Sequence, residues 1–265
     1  EITFFTAKVV NEIKFDNELT IDLVGFHGQT IYHNASERIT KQLGNGNLLS
    51  QLTKLNIVYE FRINDIKHGG QGAPLAPIFH LLLHKKFNLK NSIFLNIGGI
   101  LNATSIFEHK NLIATDLGPG MCLLDDWVRL NSGNKFDKDG SLSLNGKVHM
   151  NLNYELDNFF YFEEKKIDQL YMKSFDTNDF DHSFVRGLSL EDGAATLSEY
   201  TAKIITDYYL YILKVKKTNK VQPKLILCGG GRKNKKIVET IKNDLKKNQI
   251  HPLNEIVEMI DKYGF

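Results

Sequence analysis

Short apolar runs alternate along the chain with longer stretches in which apolar residues recur at helical spacing. Runs of this length are typical of buried strands, and the longer stretches are typical of amphipathic helices. The predicted strands are 21–26, 57–61, 92–97, 102–107, 112–115 and 225–227. The predicted helices are 47–55, 75–87, 121–130, 192–215 and 234–246. The alternation predicts an α/β protein in which 92–97 and 102–107 pair as an antiparallel hairpin.

Glycine clusters follow several of these apolar runs. They lie at 69–72, 98–99, 118–120 and 229–231. Glycine between a strand and a helix lets backbone N–H groups approach a phosphate, although each cluster alone is also explained by a plain loop. None has the spacing of the Rossmann or Walker motifs. Together the clusters favour a cleft that binds phosphate and sugar.

Asp116 is the most informative single residue. It ends an apolar strand and is followed by Leu117, the stiff turn 118–120 and a predicted helix. A carboxylate in this place suits a general base, and it equally suits the N-cap of the helix. One helical turn further on, Asp125 can hold a water or Mg²⁺ facing Asp116, although a structural role is favoured for it.

Other polar residues permit two interpretations. The segment His27-Gly28-Gln29-Thr30 follows a buried strand and can bind a polyhydroxylated ligand, but such a turn is more often structural. His80 and His84 are four residues apart on a predicted helix, which suggests a metal site together with His68. Because the glutamate of the H-E-x-x-H motif is missing, a histidine pair covered by aliphatic side chains is favoured.

Composition narrows the classes of protein. The chain has 265 residues, 42% of them hydrophobic and 24% charged, with a net charge of +2. These values predict a sizeable core and argue against a dedicated surface for nucleic acid or anionic membranes. Cys122 and Cys228 are expected to be reduced thiols in a cytosolic protein. No apolar run reaches the about 18–20 residues that span a membrane. The chain starts at Glu1, which indicates processing or a piece of a longer protein.

The motifs, taken in their order, resemble those of the anhydro-N-acetylmuramic acid kinases. The resemblance extends from about Ile21 to Phe265. The matching residues are 25–30, Phe61-Arg62 with Asp65, 69–75 with Pro77 and 79–80, 96–100 with Asn102, Asp116 with 118–120, 136–140, 173–174 with 179–180, Asp192 with 195–197, and 228–231 with Asn234.

This resemblance implies the fold of sugar kinases and actin, in which two α/β domains with ribonuclease-H-like mixed sheets close over ATP. Residues 1–90 would be the remnant of a first domain, and 91–265 the second domain. It also implies truncation at both ends, because the family's first phosphate loop has no match here and its closing segment lies beyond Phe265.

The resemblance further implies which residues act. Asp116 would be the catalytic base that deprotonates water. The amino sugar would lie among His27, Gly28, Gln29, Thr30, Gln71 and Gly72. ATP, with Mg²⁺, would lie among Asn96, Gly98, Gly99, Gly118, Gly120, Gly229, Gly230 and Gly231, and no side chain is assigned as a metal ligand.

The implied reaction opens 1,6-anhydro-N-acetylmuramic acid with water and phosphorylates O6 from ATP, in peptidoglycan recycling. The expected partners are the amino sugar and ATP, without nucleic acid or membrane, in a cytoplasmic protein that forms a homodimer. The alternative is an inactive remnant that only binds sugar or nucleotide. The sequence departs from the family pattern at Leu117, where threonine is usual, and at Met121-Cys122, where asparagine is common after the last glycine.

Overall fold

A computed structural model describes residues 1–16, 20–107, 111–149, 175–216 and 222–248. The chain forms two compact units, Glu1–Ala76 and Pro77–Phe265. The division into domains at 1–90 and 91–265 stays a prediction. No described helix combines the length and the hydropathy needed to cross a bilayer.

The first unit contains two small sheets and three helices among its described residues. Its elements are α1 (Ile2–Asp16), β1 (Leu23–Phe26), β2 (Gln29–Asn34), β3 (Ile39–Leu43), α2 (Gly46–Thr53), β4 (Asn56–Tyr59) and α3 (Phe61–Lys67). Strands β1 and β4 pair in parallel, and β2 and β3 form an antiparallel hairpin. Ala7, Phe26 and Leu49 form its small buried core.

The second unit is built on one mixed sheet. Its elements are α4 (Ala76–Lys86), β5 (Asn91–Ile97), β6 (Ile100–Phe107), β7 (Asn111–Pro119), α5 (Cys122–Asn131), α6 (Ser141–Asn145), α7 (Leu190–Lys216), β8 (Lys224–Cys228) and α8 (Lys235–Lys247). The strand order is β7-β6-β5-β8, with only the β5–β8 pair parallel among these neighbours. The predicted α/β class and mixed sheet are therefore confirmed.

Helix α7 covers this sheet and forms most of the core with it. Tyr208 and Tyr209 are fully buried, and the Tyr208 hydroxyl lies 2.8 Å from Oγ of Ser105 on β6. Trp127 of α5 is buried against α7 and donates its indole N–H to the Leu190 carbonyl at 3.0 Å. Since each buried side chain of this size stabilises the fold by about 1.5–3 kcal/mol, the α7–sheet contact holds the second unit together.

Two histidines of α4 contact hydroxyl groups of the sheet. His80 stacks on Phe94 with ring centroids 4.7 Å apart, and its Nδ1 lies 2.9 Å from Thr104 Oγ1. His84 is buried, with Nδ1 2.8 Å from Ser92 Oγ. Burial lowers the pKa of His80 to about 4, so its ring is neutral near pH 7. Both rings therefore have a packing role in the second unit.

The structure corrects the predicted end of one strand. The apolar run 57–61 was expected to be extended throughout, but β4 ends at Tyr59 and Phe61 begins α3. Glu60 between them has a left-handed backbone, with φ 61°, which ends the strand abruptly. Helix α3 consequently presents Arg62 and Asp65 three residues apart, on one helical face.

Candidate active site

Asp116 lies near the carboxyl end of β7, opposite Asn102 of β6. The register shifts by one residue immediately beyond this pair, because the next partners are Leu101 and Gly118. Leu117 is therefore the extra residue of a β-bulge, and its side chain is buried. Bulges bend a strand and change the direction of neighbouring side chains. This bulge lies directly beside the half-buried carboxylate of Asp116.

The Asp116 carboxylate is held by the main chain. The backbone N–H of Phe175 donates to its Oδ2 at 3.1 Å. The alternative that Asp116 caps α5 is wrong, because Met121 occupies the cap position there and makes no side-chain capping bond. Strand β7 continues through Pro119, so Asp116 lies within the strand rather than at the start of the helix. The general-base interpretation remains.

The tip of the β5–β6 hairpin is tied to the start of α5. The Gly98 carbonyl accepts from the N–H of Met121 at 2.7 Å, and the Gly99 carbonyl accepts from Gly120 and Cys122 at 2.9 and 3.2 Å. The C=O and N–H groups of one trans peptide unit point in opposite directions. Because the N–H of Gly99 shares its peptide unit with the Gly98 carbonyl, it points away from α5, as a phosphate-binding donor should.

Gly118 and Gly120 allow the tip of the β5–β6 hairpin to approach the start of α5 closely. A Cβ on Gly120 would collide with the Gly98 carbonyl, and Gly118 has φ 141°, a backbone conformation that favours glycine. The N–H groups of Gly120, Met121 and Cys122 are already bonded to the hairpin. Anion-binding donors at this edge would therefore come from the hairpin tip rather than from these first positions around α5.

A second glycine turn follows β8, beside the end of β5. A Cβ on Gly229 would lie 2.5 Å from Oδ1 of Asn96, and one on Gly231 would collide with the side chain of Ile97. Gly230 is different, since a Cβ there would meet no described atom within 4 Å and the residue is exposed. Gly229 and Gly231 thus allow the turn to pack on β5, whereas Gly230 presents open backbone.

These contacts bring all eight predicted ATP-binding residues to one edge of the sheet. Strands β5, β7 and β8 run in the same direction, so their carboxyl ends share that edge. The carboxyl edge is where ligands bind in open α/β sheets. The residues on it are Asn96, Gly98, Gly99, Asp116, Gly118, Gly120, Gly229, Gly230 and Gly231.

Asp125, in the first turn of α5, has a buried carboxylate oxygen, Oδ1, with no hydrogen-bond partner among the described residues. Burial raises the pKa of Asp125 to about 6; Arg129 opposes the shift and the negative charge of Asp137 adds to it. Asp137 is itself buried and accepts hydrogen bonds from Leu142 and Ser143. A carboxyl with this pKa binds a proton more readily than an ordinary aspartate does. The described residues contain no cluster of three or more His, Cys, Asp or Glu side chains suited to a metal.

Predicted sugar-binding residues of the first unit are joined by an arginine. Nε of Arg62 lies 2.8 Å from Nε2 of His27, and Nδ1 of His27 lies 2.9 Å from the Gly28 carbonyl. A guanidinium can only donate, so Nε2 accepts and the His27 proton is on Nδ1, donated to Gly28. Arg62 also donates from Nη1 to the Gly72 carbonyl at 2.8 Å. The two segments are thus fixed relative to each other.

The Gly72 segment is held from α3 as well. The backbone N–H of Gly72 donates to Oδ2 of Asp65 at 2.7 Å, while the adjacent Gln71 is exposed. Burial and the charge of Arg62 lower the pKa of His33, which lies beside this segment. The sequence motifs contain Arg62 and Asp65 but indicate no role for either residue. Their spacing on one helical face was the signal that could have found them.

The remaining predicted sugar-binding residues lie at the start of the β2–β3 hairpin. Gly28 has φ 72°, and a Cβ there would collide with the Leu43 carbonyl. Gln29 is exposed, and Thr30 Oγ1 accepts from Gln42 Nε2 at 3.3 Å. Because Gln29 already begins β2, only part of 27–30 is the turn that was expected. Gly28 and Thr30 therefore have structural roles in this unit.

Two cavities of the first unit border the same segment. One of about 220 Å³ has His27 and Gly28 in its wall, opposite Gly44–Asn47. The other, of about 540 Å³, lies between residues 26–29 and the beginning of α1. The larger cavity is within the range of about 300–1,000 Å³ that is common for small-molecule sites.

Comparison with known proteins identifies the family. The sequence model described as anhydro-N-acetylmuramic acid kinase matches residues 2–262. The chain belongs to the anhydro-N-acetylmuramic acid kinase family. The family resemblance stated on the motifs is thereby confirmed over nearly the whole chain.

Relatives bearing the family's name support this membership. The anhydro-N-acetylmuramic acid kinase of Pelagibacter ubique is 48% identical over 252 residues, 94% of this chain and 65% of that protein. The one from Agrobacterium fabrum is 39% identical and covers 83% of this chain and 57% of its own length. The one from Methylobacterium nodulans is 36% identical, with coverage of 96% and 66%. The chain thus spans less than two thirds of the length of these relatives.

Solved structures are only distantly similar. The activator of 2-hydroxyisocaproyl-CoA dehydratase from Clostridium difficile, with bound ADPNP, gives a TM-score of 0.43 at 16% identity, covering 84% of each chain. The ethanolamine utilization protein EutJ from Carboxydothermus hydrogenoformans gives 0.36 at 12% identity, covering 92% of this chain and 67% of that one. Scores this low identify neither a fold nor a function.

Proposed function

We propose that this protein hydrolytically opens 1,6-anhydro-N-acetylmuramic acid and phosphorylates it at O6 with ATP. The products are N-acetylmuramic acid 6-phosphate and ADP, and the reaction belongs to peptidoglycan recycling. The observation that carries the proposal is the family match over residues 2–262, on a chain that holds the Asp116 carboxylate at the same sheet edge as two glycine turns.

The bond changes balance with Asp116 as the base. A water oxygen forms a bond to the anomeric carbon while the bond from that carbon to O6 breaks, and a water proton passes to the Asp116 carboxylate. O6 then forms a bond to the γ-phosphorus of ATP, and the bridging oxygen leaves with ADP. A base must lie within about 2.6–3.2 Å of the proton that it removes, so the direction of the carboxylate is decisive.

ATP is assigned to the glycine turns of the second unit. The outward N–H of Gly99 suits a phosphate oxygen, and the open backbone at Gly230 suits the adenosine, because no side chain keeps a nucleoside away from it. Phosphoryl transfer depends mostly on positioning and on neutralising charge. The side chain of Asn96 lies between the two turns, against the positions of Gly98 and Gly229.

Mg²⁺ fits this arrangement as a companion of the triphosphate. A magnesium ion in kinases is usually held by substrate phosphates, water and one or two protein oxygens. The side chain of Asn96, which lies between the two glycine turns, would offer its amide oxygen to the ion, and the ion would neutralise the phosphate charge.

The sugar is assigned to the first unit. His27, Gln29 and Gln71 offer hydrogen-bonding groups from exposed positions, and Arg62 fixes the first of them. Hydroxyl, amide and carboxylate groups of an amino sugar match such donors and acceptors. Gly28, Thr30 and Gly72 complete the proposed sugar-binding set through their backbone positions.

The decisive experiment uses the purified full chain with the anhydro sugar, ATP and Mg²⁺ in ¹⁸O-labelled water. We expect ADP release and one labelled oxygen at the anomeric carbon of the product. Phosphorylated product without solvent oxygen would contradict the hydrolytic step. Absence of any turnover would contradict the proposed activity and favour a protein that only binds its ligands.

Replacing Asp116 tests the base. We expect D116N to lose about 10²–10⁴-fold in kcat, because proton removal from water is lost while the shape of the side chain is kept. ATP binding, followed by the fluorescence of the single tryptophan, should persist. D244N is the matched control, since it removes an aspartate that is paired with Lys247 on the surface of α8. Undiminished turnover of D116N would remove Asp116 as the base.

We place the reaction in the cytoplasm, where ATP is available, and propose a homodimer as its working form. Size-exclusion chromatography with light scattering measures the molar mass of the protein in solution. A monomer mass in an active sample would contradict the homodimer.

A further inference from the structure

A short turn lies against both the Asp116 carboxylate and the hairpin tip. It spans Phe175 to Phe180 and is called the 175–180 turn below. Its first N–H donates to Oδ2 of Asp116 at 3.1 Å. Its Thr177 methyl carbon lies 3.7 Å from the position that a Cβ on Gly99 would occupy. The turn therefore contacts the two features of the second unit on which the chemistry depends.

Asp179 sets the shape of this turn. Residues 177–179 form one turn of 3₁₀ helix, and the Asp179 carboxylate reaches back to accept the backbone N–H of Asp176 at 2.8 Å. The Asp176 side chain in return accepts from the N–H of Asn178 at 3.0 Å and from the backbone of Asp179, and the latter bond completes a reciprocal capping box. Such boxes satisfy two backbone donors reciprocally.

The turn is anchored to the second unit by an aromatic pair. The rings of Phe175 and Phe180 lie 5.4 Å apart, and Phe180 packs against the main hydrophobic core. The anchor holds the two ends of the turn together, while the capping box fixes the peptide that joins Phe175 to Asp176. Because that peptide directly follows the N–H that binds Asp116, a change in its orientation moves the donor.

We propose that Asp179 is a positioning residue for Asp116. It orders the 175–180 turn so that the Phe175 N–H holds one oxygen of the carboxylate and thereby sets the direction in which Asp116 meets the attacking water. The inference rests on the proposed function. The orientation of the Asp116 carboxylate matters because a displacement of about 1 Å in a catalytic group can cost about 10²-fold in rate.

Kinetics of paired variants test the role. We expect D179A to lower kcat by about 10–100-fold with little change in KM for sugar or ATP, because binding groups are untouched and orientation is lost. D179N should retain most of the activity, since its amide oxygen still accepts the Asp176 N–H. D181A is the control, because Asp181 is exposed and caps the neighbouring turn through the Ser183 N–H.

Equal losses in D179A and D179N would overturn the inference, and so would wild-type kcat in D179A. A merely structural role would instead lower thermal stability and raise KM together with the loss of kcat.

An NMR measurement decides the geometry without any turnover. In ¹⁵N-labelled protein, the Phe175 amide resonance should shift as Asp116 is protonated, should lose that shift in D116N, and should be altered in D179A. A Phe175 resonance that ignores both substitutions would refute the inference even in an active enzyme. If the wild-type chain shows no turnover, the proposed function fails, and the NMR result still stands for or against the positioning contact.

Discussion

At the scale of residues, two aspartates of the second unit have opposite environments. Asp116 accepts a backbone N–H and lies near the carboxyl end of β7, whereas Asp125 has a buried oxygen without a described partner. Hydrogen bonds to a carboxylate favour its charged form, and burial disfavours it. The two residues are close in sequence, yet their surroundings differ, and the hydrogen-bonded carboxylate of Asp116 is the one that we propose as the base.

The buried carboxyl of Asp125 predicts a pH-dependent loss of stability. Its pKa is raised from 3.8 to about 6, so the folded state holds this proton more tightly than the unfolded chain does. The contribution is fully present below pH 3.8 and is lost as the pH rises through about 6. We therefore expect D125N to be more stable than the wild type above that range, by roughly 1–2 kcal/mol after allowance for partial solvent exposure.

Denaturant unfolding of D125N and wild type across this pH range measures the effect. D244N is the control, because Asp244 pairs with a lysine, Lys247, at 2.7 Å on the surface of α8. A stability difference that is independent of pH would contradict the explanation, and so would a difference that grows towards acid.

At the scale of elements, the glycine turn after β8 combines two tasks in adjacent residues. Gly231 packs on Ile97 of β5, and Gly230 is open. Gly231 is therefore needed for packing, whereas the backbone of Gly230 is available to a ligand. The pair separates the two tasks experimentally, because each glycine can be given the same added methyl group.

We expect G231A to lower the melting temperature, since a Cβ there collides with the Ile97 side chain, at a cost of about 1–3 kcal/mol for such overpacking. G230A should keep the stability of the wild type and weaken ATP binding, because its methyl group would occupy the proposed nucleotide surface. Thermal melts with and without ATP measure both effects. Equal melting temperatures of the two variants would contradict the assignment of Gly231 to packing.

The strong elements of the fold were predictable from the sequence, and the weak ones were not. Strands β5, β6 and β8 and helix α7 have clear hydrophobic periodicity, so their predicted and observed limits agree within a few residues. The β2–β3 hairpin was missed, because much of its surface is exposed and polar residues interrupt its pattern. Helix α1 was missed as well, because several of its apolar side chains are exposed and do not form one buried face.

The site shows the same division. Asp116 and the glycine turns are local motifs, so a single sequence is enough to suggest them. The contact of Arg62 with His27 joins residues 35 positions apart, and the contact of Phe175 with Asp116 joins residues 59 apart. Such pairs depend on how the chain folds back, which periodicity does not encode. The contact of Asp179 with the Asp176 N–H is of a different kind, because it is local, but its effect on Asp116 depends on the same long-range fold.

At the scale of the whole molecule, the proposed tasks divide between the two compact units. The predicted sugar residues lie before Ala76, and the predicted base and nucleotide residues lie after Pro77. Each group is held by contacts within its own unit, such as the Arg62 bonds in the first. A change in one group should therefore affect the binding of one substrate much more than the other.

The substitution R62K tests this division. Lysine keeps the charge but cannot reach both His27 and Gly72 with one planar group, so we expect KM for the sugar to rise by about tenfold. KM for ATP should stay close to the wild-type value. R38K is the control, since Arg38 is an exposed residue of the same unit. A comparable rise in both KM values, measured by varying each substrate in turn, would contradict the division.

The bulge at Leu117 has a consequence for how this family's sequences can vary. Asp116 takes its cross-strand partner, Asn102, from the regular part of the ladder, and position 117 is the residue left out of the pairing. The side chain at 117 can therefore change from hydroxyl to aliphatic, as the departure to leucine suggests, without altering the partner of the base. Deleting that residue would be a different matter, because the pairs on both sides of it would then follow one regular register and the bend beside Asp116 would be lost.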